Sequence, residues 1–367
     1  MRTIRRLIYK EVLASVLFVT VGFLALFFFF DFVDELPNVG KGVTGYRLTQ
    51  ALAHVTLMLP SHLYELLPIA VLIGTIFVMA RLAQSSEYTI LRTSGLGPWR
   101  ALRTLLALGL AFSALTFAAG DYLAPAADRA AQLLKARLQG RISIGQTGAW
   151  LKERQPHHTY NVNVKALTPE GDMQDVRIFE ADSRGFLVSI TQAPKAGFTD
   201  AGAWLLENAE RSEFSTSGAT SARVERLKFT RLRWPTEITP EMVSVALLKP
   251  DRMSTIDLFQ YIQHLEANGQ TSQRYEIEFW RKVFYPLSCI VMVVLALPFA
   301  YLHFRAGGIT SYVFGGVLIG ISFFLLNNVF GYIGNLQNWR PWLTAAAPGL
   351  IYSMFSLGAF GWLVLRR

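Results

Sequence analysis

Apolar positions in this chain are concentrated in six runs of membrane-spanning length, arranged as two blocks of three on either side of a long polar segment. The runs are Val12–Val33, Leu57–Ala80, Leu102–Leu123, Val283–Leu302, Tyr312–Tyr332 and Ala345–Leu365. About 20 apolar residues in a helix cross the hydrocarbon core of a bilayer, and a helix satisfies its own backbone hydrogen bonds there. The pattern therefore predicts an α-helical membrane protein with six transmembrane helices in a three-plus-three arrangement.

The polar segment between the blocks alternates apolar and polar residues in short stretches separated by turn residues, as half-buried strands do. The stretches are Ala149–Lys152, Thr159–Ala166, Val176–Glu180, Phe186–Ile190, Ala203–Asn208 and Leu227–Trp234. Short strands at this spacing favour an antiparallel sandwich or jelly roll. We expect transmembrane helices 1–3 in residues 1–140, a jelly-roll-like β domain in 141–250, an amphipathic re-entry segment in 251–282 and helices 4–6 in 283–367.

Two further helices are predicted beside the β domain. Asp128–Leu138 continues the third apolar run as a more polar helix. Ser254 and Asp257 have the spacing of a capping box, and Gly269 marks an end. Between them lies an apolar stripe at helical spacing, formed by Leu258, Tyr261, Ile262 and Leu265. A short amphipathic helix therefore leads back to the membrane.

Positive charge is distributed unequally between the two sides of the predicted spans. Eleven Lys and Arg residues lie near span ends on the side of the two termini, and three lie in the short loops opposite. An excess of Lys and Arg marks cytoplasmic loops, so both termini are expected in the cytoplasm and the large polar segment outside it. The net charge of +9 then reflects membrane topology and not nucleic-acid binding.

The sequence lacks the usual signatures of an enzyme or a metal site. Cys289 is the single cysteine, which excludes an intrachain disulfide or a thiolate metal cluster. His157 and His158 are adjacent and do not share a helix face, and no G-x-x-x-x-G-K-[ST] phosphate loop occurs. We therefore expect no catalytic residue, metal or cofactor in this chain, and any ATP used must be bound by a partner.

The sharpest local signal lies in the loop between the second and third apolar runs. Ser85 or Ser86 is suited to cap a short helix there. Glu87 falls in the positive first turn, Arg92 falls in the last turn, and Gly95 ends the helix. The segment 85–95 is therefore predicted to be a helix.

One face of this short helix is expected to present Glu87, Leu91 and Ser94. Two interpretations remain open from these residues alone. The face is either a contact surface for another protein or part of a solvated loop helix.

Three features together resemble the LptF/LptG family of lipopolysaccharide-export permeases. They are the three-plus-three layout around a strand-rich domain, the string Ser-Glu-x-x-x-Leu-Arg-x-x-Gly that begins at Ser86, and the re-entry segment Arg274–Phe284. The resemblance covers nearly the whole chain. Met253–Lys282 is more similar to the G-type subunit than to the F-type subunit.

This resemblance implies a heterodimer of F-type and G-type permease subunits in a Gram-negative inner membrane, with the β domain in the periplasm. A cytoplasmic ATPase homodimer, which binds ATP and Mg, and a single-span periplasmic jelly-roll partner are implied as well. The implied function is ATP-driven extraction of lipopolysaccharide and its delivery to a periplasmic bridge of jelly-roll domains toward the outer membrane.

The resemblance also assigns roles to residues. The segment 85–95 becomes a coupling helix that contacts the ATPase through Ser86, Glu87, Leu91, Arg92 and Gly95, with Glu87 as the principal contact. Spans one, two and five are implied to line a lipid cavity through Phe27, Phe28, Leu66, Ile69, Phe314 and Ile321. Contacts to lipid phosphates are implied for Lys41, Arg129, Lys135 and Arg137.

Interpretations without a binding role also fit the same residues. The apolar side chains are equally suited to face lipid, and the cations to be solvated surface charges. Asp31 stands where the family resemblance implies a basic residue, which weakens the expected basic rim. Glu65, inside the second run, is expected to face a cavity, a partner or the interface, and Asn327 and Asn328 to form hydrogen bonds between helices.

Three other functions compete with this interpretation. A secondary transporter would show repeated halves or broken midplane helices, but the loop between the fourth and fifth runs is too short to mirror the predicted coupling segment. An ABC-type permease for another lipid or for lipoproteins is the second. A non-transporting assembly scaffold is the third, and copurification of an ATPase and lipopolysaccharide would discriminate against it.

Overall fold

A computed structural model describes residues 2–40, 46–85, 87–139, 148–168, 171–199, 202–216, 222–246, 250–301 and 309–365. Lys41 and Ser86, both predicted site residues, lie outside these ranges. The chain divides into two compact units. The first comprises Met1–Asp34, Val55–Ala127 and Gln273–Arg367, and the second comprises Glu35–His54 and Asp128–Ser272.

Within the described ranges, six helices are long and apolar enough to cross a membrane, which confirms the predicted number. They cover Thr3–Asn38, Leu48–Gln84, Pro98–Lys135, Gln273–Tyr301, Ile309–Leu336 and Pro341–Trp362. The third helix includes most of the polar extension that the sequence predicts. The fourth begins at Gln273, so the last turns of the predicted re-entry segment are part of this span.

The α-helices of the described residues are α1 (Arg2–Glu35), α2 (Leu48–Gln84), α3 (Glu87–Thr93), α4 (Pro98–Ala118), α5 (Ala124–Gln139), α6 (Pro240–Ala246), α7 (Thr255–Ala267), α8 (Gln273–Phe284), α9 (Ser288–Ala296), α10 (Ile309–Leu336) and α11 (Pro341–Ala359). Ala119–Leu123 joins α4 to α5 as a π-helical segment. A 3₁₀ turn, Tyr285–Leu287, joins α8 to α9, and another, Leu297–Tyr301, follows α9. The third and fourth spans are therefore composite helices.

In the first unit α2 contacts α1 on one side and α10 on another, and glycines permit both close approaches. A Cβ added to Gly74 of α2 would lie 2.8 Å from Cγ2 of Val16 on α1. A Cβ added to Gly320 of α10 would lie 2.7 Å from Cγ2 of Ile69 on α2. A larger side chain at either glycine would clash with the neighbouring helix. The close packing of α2 against α1 and α10 therefore depends on both glycines.

In the second unit the strands are β1 (Ala149–Arg154), β2 (His158–Leu167), β3 (Met173–Asp182), β4 (Leu187–Thr199), β5 (Ala203–Thr216) and β6 (Ala222–Pro235). They form one antiparallel sheet in which each strand pairs with its neighbours in the chain. The inserted all-β domain is thus confirmed, and the order of the described strands is a meander where a jelly roll would have Greek-key connections. The observed strands β4–β6 are longer than the predicted stretches. Most of the added residues are polar or small, so the sequence pattern does not mark them as parts of strands.

One face of this sheet is buried by alternate residues. Val162 on β2 lies opposite Ile178 on β3, and both side chains are almost fully buried. Trp204 on β5 is completely buried, and its indole N–H donates a hydrogen bond of 2.7 Å to the carbonyl of Ile238. The β domain therefore has a hydrophobic core of its own, as expected for a domain that lacks disulfides.

The predicted amphipathic helix is present as α7. The Ser254 hydroxyl accepts a hydrogen bond from the Asp257 N–H, and the Asp257 carboxylate accepts one from the Ser254 N–H, both at 3.2 Å. At the other end Gly269 has φ +60°, and the Gln270 N–H donates to the Leu265 carbonyl at 2.8 Å. A capping box and a Schellman motif thus fix both ends of this helix.

Candidate functional site

The helix α3 occupies the predicted coupling segment and is anchored on the end of the fourth span. The ring of Tyr88 is almost fully buried and packs edge-on against the ring of Tyr301, with centroids 5.2 Å apart. The guanidinium of Arg92 lies 5.0 Å from the centroid of the same Tyr301 ring. Burial raises the pKa of the Tyr88 phenol well above its ordinary value, so this contact stays uncharged.

A Schellman motif ends α3 at the predicted glycine. Gly95 has φ +102°, a conformation that other residues rarely adopt. The Gly95 N–H donates to the Arg92 carbonyl, and the Leu96 N–H donates to the Leu91 carbonyl, both at 3.0 Å. Leu96 belongs to a buried hydrophobic cluster and Leu91 packs against the same cluster, so both sides of the cap are held by apolar packing.

The exposed side of α3 differs in part from the face that the sequence predicts. Glu87 and Ser94 are exposed, but Leu91 is half-buried against the hydrophobic cluster. Ile90 takes its place outside, with 62% of its surface exposed. The spacing of three residues from Glu87 places Ile90 beside it, so an exposed acidic and apolar pair is available for a partner.

The helix α10 carries a continuous exposed apolar stripe. Phe314 is 63% exposed and Ile321 is 46% exposed. Leu318 and Leu325, each four residues further along, are more than half exposed as well. Residues three, four and seven apart share a helix face, so these four side chains form one surface.

The other four predicted cavity residues are less accessible. Leu66 and Ile69 are buried, and Ile69 contacts Gly320 of α10, so both belong to the packing around α2. Phe27 is half-buried, with its ring centroid 4.9 Å from that of His62. Phe28 stacks on Phe32 at 6.4 Å. The structure therefore places only Phe314 and Ile321 on an open surface.

Among the described spans, the two helices that flank α2 are the least buried. Only 17% of the membrane-length window is buried in α1, and the same fraction in α10, against 78% in α2. An apolar surface of this size needs lipid, another helix or an apolar ligand to cover it. Phe314 and Ile321 lie on that surface.

The two predicted phosphate-binding cations whose side chains are described are already paired. Nζ of Lys135 lies 3.0 Å from Oε2 of Glu35, and Arg129 forms an ion pair with Asp257. Arg137 lies in α5, but its side chain is not among those described, and Lys41 falls outside the described residues. A phosphate that binds Lys135 or Arg129 must therefore compete with a carboxylate.

Comparison with known proteins follows this architecture along its whole length. A family model described as lipopolysaccharide export system permease LptF/LptG matches residues 6–366. The chain belongs to the LptF/LptG family. The LptG permease protein of the lipopolysaccharide export system of Haemophilus influenzae is 26% identical over 370 residues, covering 100% of this chain and 99% of that protein. The Escherichia coli K12 protein of the same name is 26% identical and covers 99% and 98%.

LptF/LptG family membership does not account for every position of the site. The resemblance implies a basic residue at Asp31, but this acid lies on α1 with its Oδ2 2.6 Å from Nε2 of His62 on α2. Both side chains are about four-fifths buried. Sequence reasoning missed the pair because the partners are 31 residues apart and give no local pattern.

Polar residues within the spans of this LptF/LptG family member fit their predictions only in part. Asn328 accepts a hydrogen bond from Arg281 of α8 through Oδ1, at 3.1 Å, so it joins two helices as predicted. The Asn327 side chain donates to the Phe323 carbonyl of its own helix, which differs from the prediction. Glu65 is exposed, and its backbone carbonyl accepts a hydrogen bond from the Tyr285 hydroxyl.

Proposed function

We propose that this chain is the G-type permease subunit of an ATP-driven transporter that extracts lipopolysaccharide from the inner membrane and delivers it toward the outer membrane. The observation that carries this proposal is the full-length family match together with the exposed apolar stripe of α10. The match to relatives named LptG supports the G-type assignment.

Energetics favour an apolar surface as the first requirement of lipid extraction. Each CH₂ group that passes from hydrocarbon to water costs about 0.8 kcal/mol, so an acyl chain of ordinary length represents roughly 10 kcal/mol. One charge-assisted hydrogen bond contributes about 1.5–3 kcal/mol. Acyl chains must therefore move from the bilayer onto Phe314, Ile321 and their neighbours before any head-group contact is useful.

Energy for the later, upward step is supplied from the cytoplasmic side through α3. The proposed partner there is an ATPase homodimer that binds ATP and Mg. Glu87 and Ile90 form the exposed surface for its docking, while Tyr88 and Arg92 hold the helix against Tyr301. Leu91 and Gly95 act through the fold of the segment.

The remaining partners and the orientation follow from the same assignment. An F-type subunit completes a heterodimer, and a single-span periplasmic partner continues the path to a bridge of jelly-roll domains. Both termini lie in the cytoplasm and the β domain in the periplasm of a Gram-negative inner membrane. The excess of Lys and Arg on the terminal side of the spans supports this orientation.

Copurification from native membranes tests the proposed function. Gentle solubilisation should recover a cytoplasmic ATPase, a second permease chain and lipopolysaccharide with this protein. Recovery of an ATPase with a different lipid or with lipoproteins would instead indicate a permease for that cargo. Recovery of neither ATPase nor lipid would contradict transport and leave an assembly scaffold.

A further inference from the structure

A polar row crosses the first turns of the fourth span. Arg274, Glu278 and Arg281 on α8 are four and three residues apart, so they share one helix face over about 10 Å at 1.5 Å per residue. All three lie in the membrane-length helix Gln273–Tyr301. They precede the apolar run that begins at Val283, so they fall near one end of the span, at the level where lipid head groups are expected.

A second polar row on α10 faces the first. Asn328, Tyr332 and Asn335 are also four and three residues apart, and all three are exposed. The two rows line a hollow of about 400 Å³, together with Ile277 and Gly331. Hydrogen-bond donors therefore reach this hollow from both helices.

The two arginines of the hollow are in different states. The Arg281 guanidinium donates to the Asn327 carbonyl at 2.8 Å, to Asn328 Oδ1 at 3.1 Å and to Glu278 Oε1 at 3.1 Å, so its position is fixed. Arg274 is exposed, and its guanidinium has no acceptor within the described parts of the chain. One carboxylate against two guanidinium groups leaves the hollow with a net positive charge.

The hollow continues the apolar stripe of α10. Phe314, Ile321, Asn328 and Asn335 follow one another at intervals of seven residues, and a helix drifts by only about 20° over that interval. The stripe thus changes from apolar to polar along its length and ends beside Arg274 and Arg281. An amphiphile with its chains on the apolar part would place its head group in the hollow.

We propose that the hollow between α8 and α10 binds a phosphate group of an anionic lipid head group. Arg274 supplies the unpaired cation, Arg281 holds Asn328 and Glu278 in place, and the Asn335 amide and the Tyr332 hydroxyl donate to phosphate or hydroxyl oxygens. The inference rests on the proposed function and extends it, because it assigns head-group binding to a place other than Lys135 and Arg129.

Photocrosslinking of lipopolysaccharide in native membranes tests this site. Benzoylphenylalanine replaces Tyr332 in the lining of the hollow, which removes one proposed donor but keeps Arg274, Arg281 and Asn335, or it replaces Phe314 on the apolar part of the stripe. Arg274→Gln should reduce the Tyr332 crosslink about tenfold, equivalent to about 1.4 kcal/mol, and leave the Phe314 crosslink in place. Arg340→Gln is the matched control, because Arg340 is exposed and follows Trp339, whose carbonyl accepts from Gln273 at the start of α8.

The outcomes separate this inference from the proposed function. A crosslink at Phe314 but none at Tyr332, or an unchanged Tyr332 crosslink in Arg274→Gln, overturns the head-group site alone. Equal losses in Arg274→Gln and Arg340→Gln overturn it too, because they indicate general attraction by positive charge. Binding of inorganic phosphate that depends on Arg274, without any lipid crosslink at Tyr332, identifies a free-anion site instead, and crosslinks at neither position contradict the proposed function itself.

Discussion

Lys135 and Glu35 form an ion pair in which Nζ lies 3.0 Å from a carboxylate whose side chain is only 10% exposed. Removal of one partner from such a pair leaves a nearly buried charge without its hydrogen bond, which costs more than the pair itself contributes. The role of Lys135 in the stability of the second unit is therefore separable from any role in lipid binding.

The stability role predicts a rescue. Lys135→Met should lower the free energy of unfolding by about 1–3 kcal/mol, because Glu35 is left unpaired. The double variant Glu35→Gln with Lys135→Met should recover most of that loss, since no buried charge remains. Thermal denaturation of the purified protein in detergent measures both effects. Equal losses in the single and double variants would show that the pair does not stabilise the unit.

Apolar contact should outweigh any one cation in lipid binding. Phe314→Asp should abolish support of growth, because a carboxylate interrupts the apolar stripe. For the same reason it should abolish the lipopolysaccharide crosslink from benzoylphenylalanine placed at another position of the stripe. Lys135→Ala should reduce both only modestly. Met354→Asp is the control, since Met354 is 74% exposed on α11 and lies five residues from the Ala359 end, as Phe314 lies five residues from Ile309 at the start of α10.

Membrane levels of the three variants must be equal for this comparison. Crosslinking that survives Phe314→Asp, or that is lost equally in Met354→Asp, would place the lipid path on another surface.

Glu87 should be the most sensitive position of α3. If the ATPase offers a cation to Glu87, leaving that cation unpaired in a partly buried interface costs on the order of 2–5 kcal/mol. Glu87→Ala should therefore lower the lipid released per ATP in proteoliposomes that contain the whole complex. Arg92→Ala should have a smaller effect, because its contact with Tyr301 contributes about 0.5–1 kcal/mol.

Thr93→Ala provides the background for that series, because Thr93 is exposed on the same short helix. Wild-type yields for Glu87→Ala and Arg92→Ala alike would reduce α3 to a solvated loop helix.

Membrane orientation is tested by single cysteines. Thr93→Cys and Ser183→Cys, each in a Cys289→Ser background, place a thiol at an exposed position of α3 or of the turn between β3 and β4. An impermeant thiol reagent should label only Ser183→Cys in intact spheroplasts, and both variants after lysis. Labelling of Thr93→Cys in intact spheroplasts would reverse the proposed topology.

Close packing of α2 against α10 gives a pair of matched glycine variants. Gly320→Leu should destabilise the first unit by about 1–3 kcal/mol, because the new side chain meets Ile69. Gly315→Leu on the same helix should be nearly neutral, since no atom lies within 4 Å of a Cβ at that position. Similar melting temperatures for the two variants would contradict the close approach.

The sequence was sufficient for elements that carry a local signal. The apolar runs predict six spans because their length alone separates them from soluble helices. Ser254, Asp257 and Gly269 predict both ends of α7 because caps depend on residues within a few positions. The end of α3 at Gly95 follows from the same chemistry.

Orientation within the spans and pairing between distant residues could not be predicted. The helix α2 is apolar on all sides, so no periodicity indicates that Leu66 and Ile69 face other helices instead of a cavity. Lys135 and Glu35 are 100 residues apart in sequence, and only the fold brings them together.

Tyr88 and Arg92 both contact the ring of Tyr301, and this shared contact has a mechanical consequence. A helix as short as α3, with seven residues, has little stability by itself. Its packing against Tyr301 is therefore what keeps it rigid. Force applied to α3 therefore reaches the 3₁₀ turn at the end of the fourth span directly and is not absorbed by a compliant loop. We expect α3 and this 3₁₀ turn to move together as one rigid body about the Tyr301 contact.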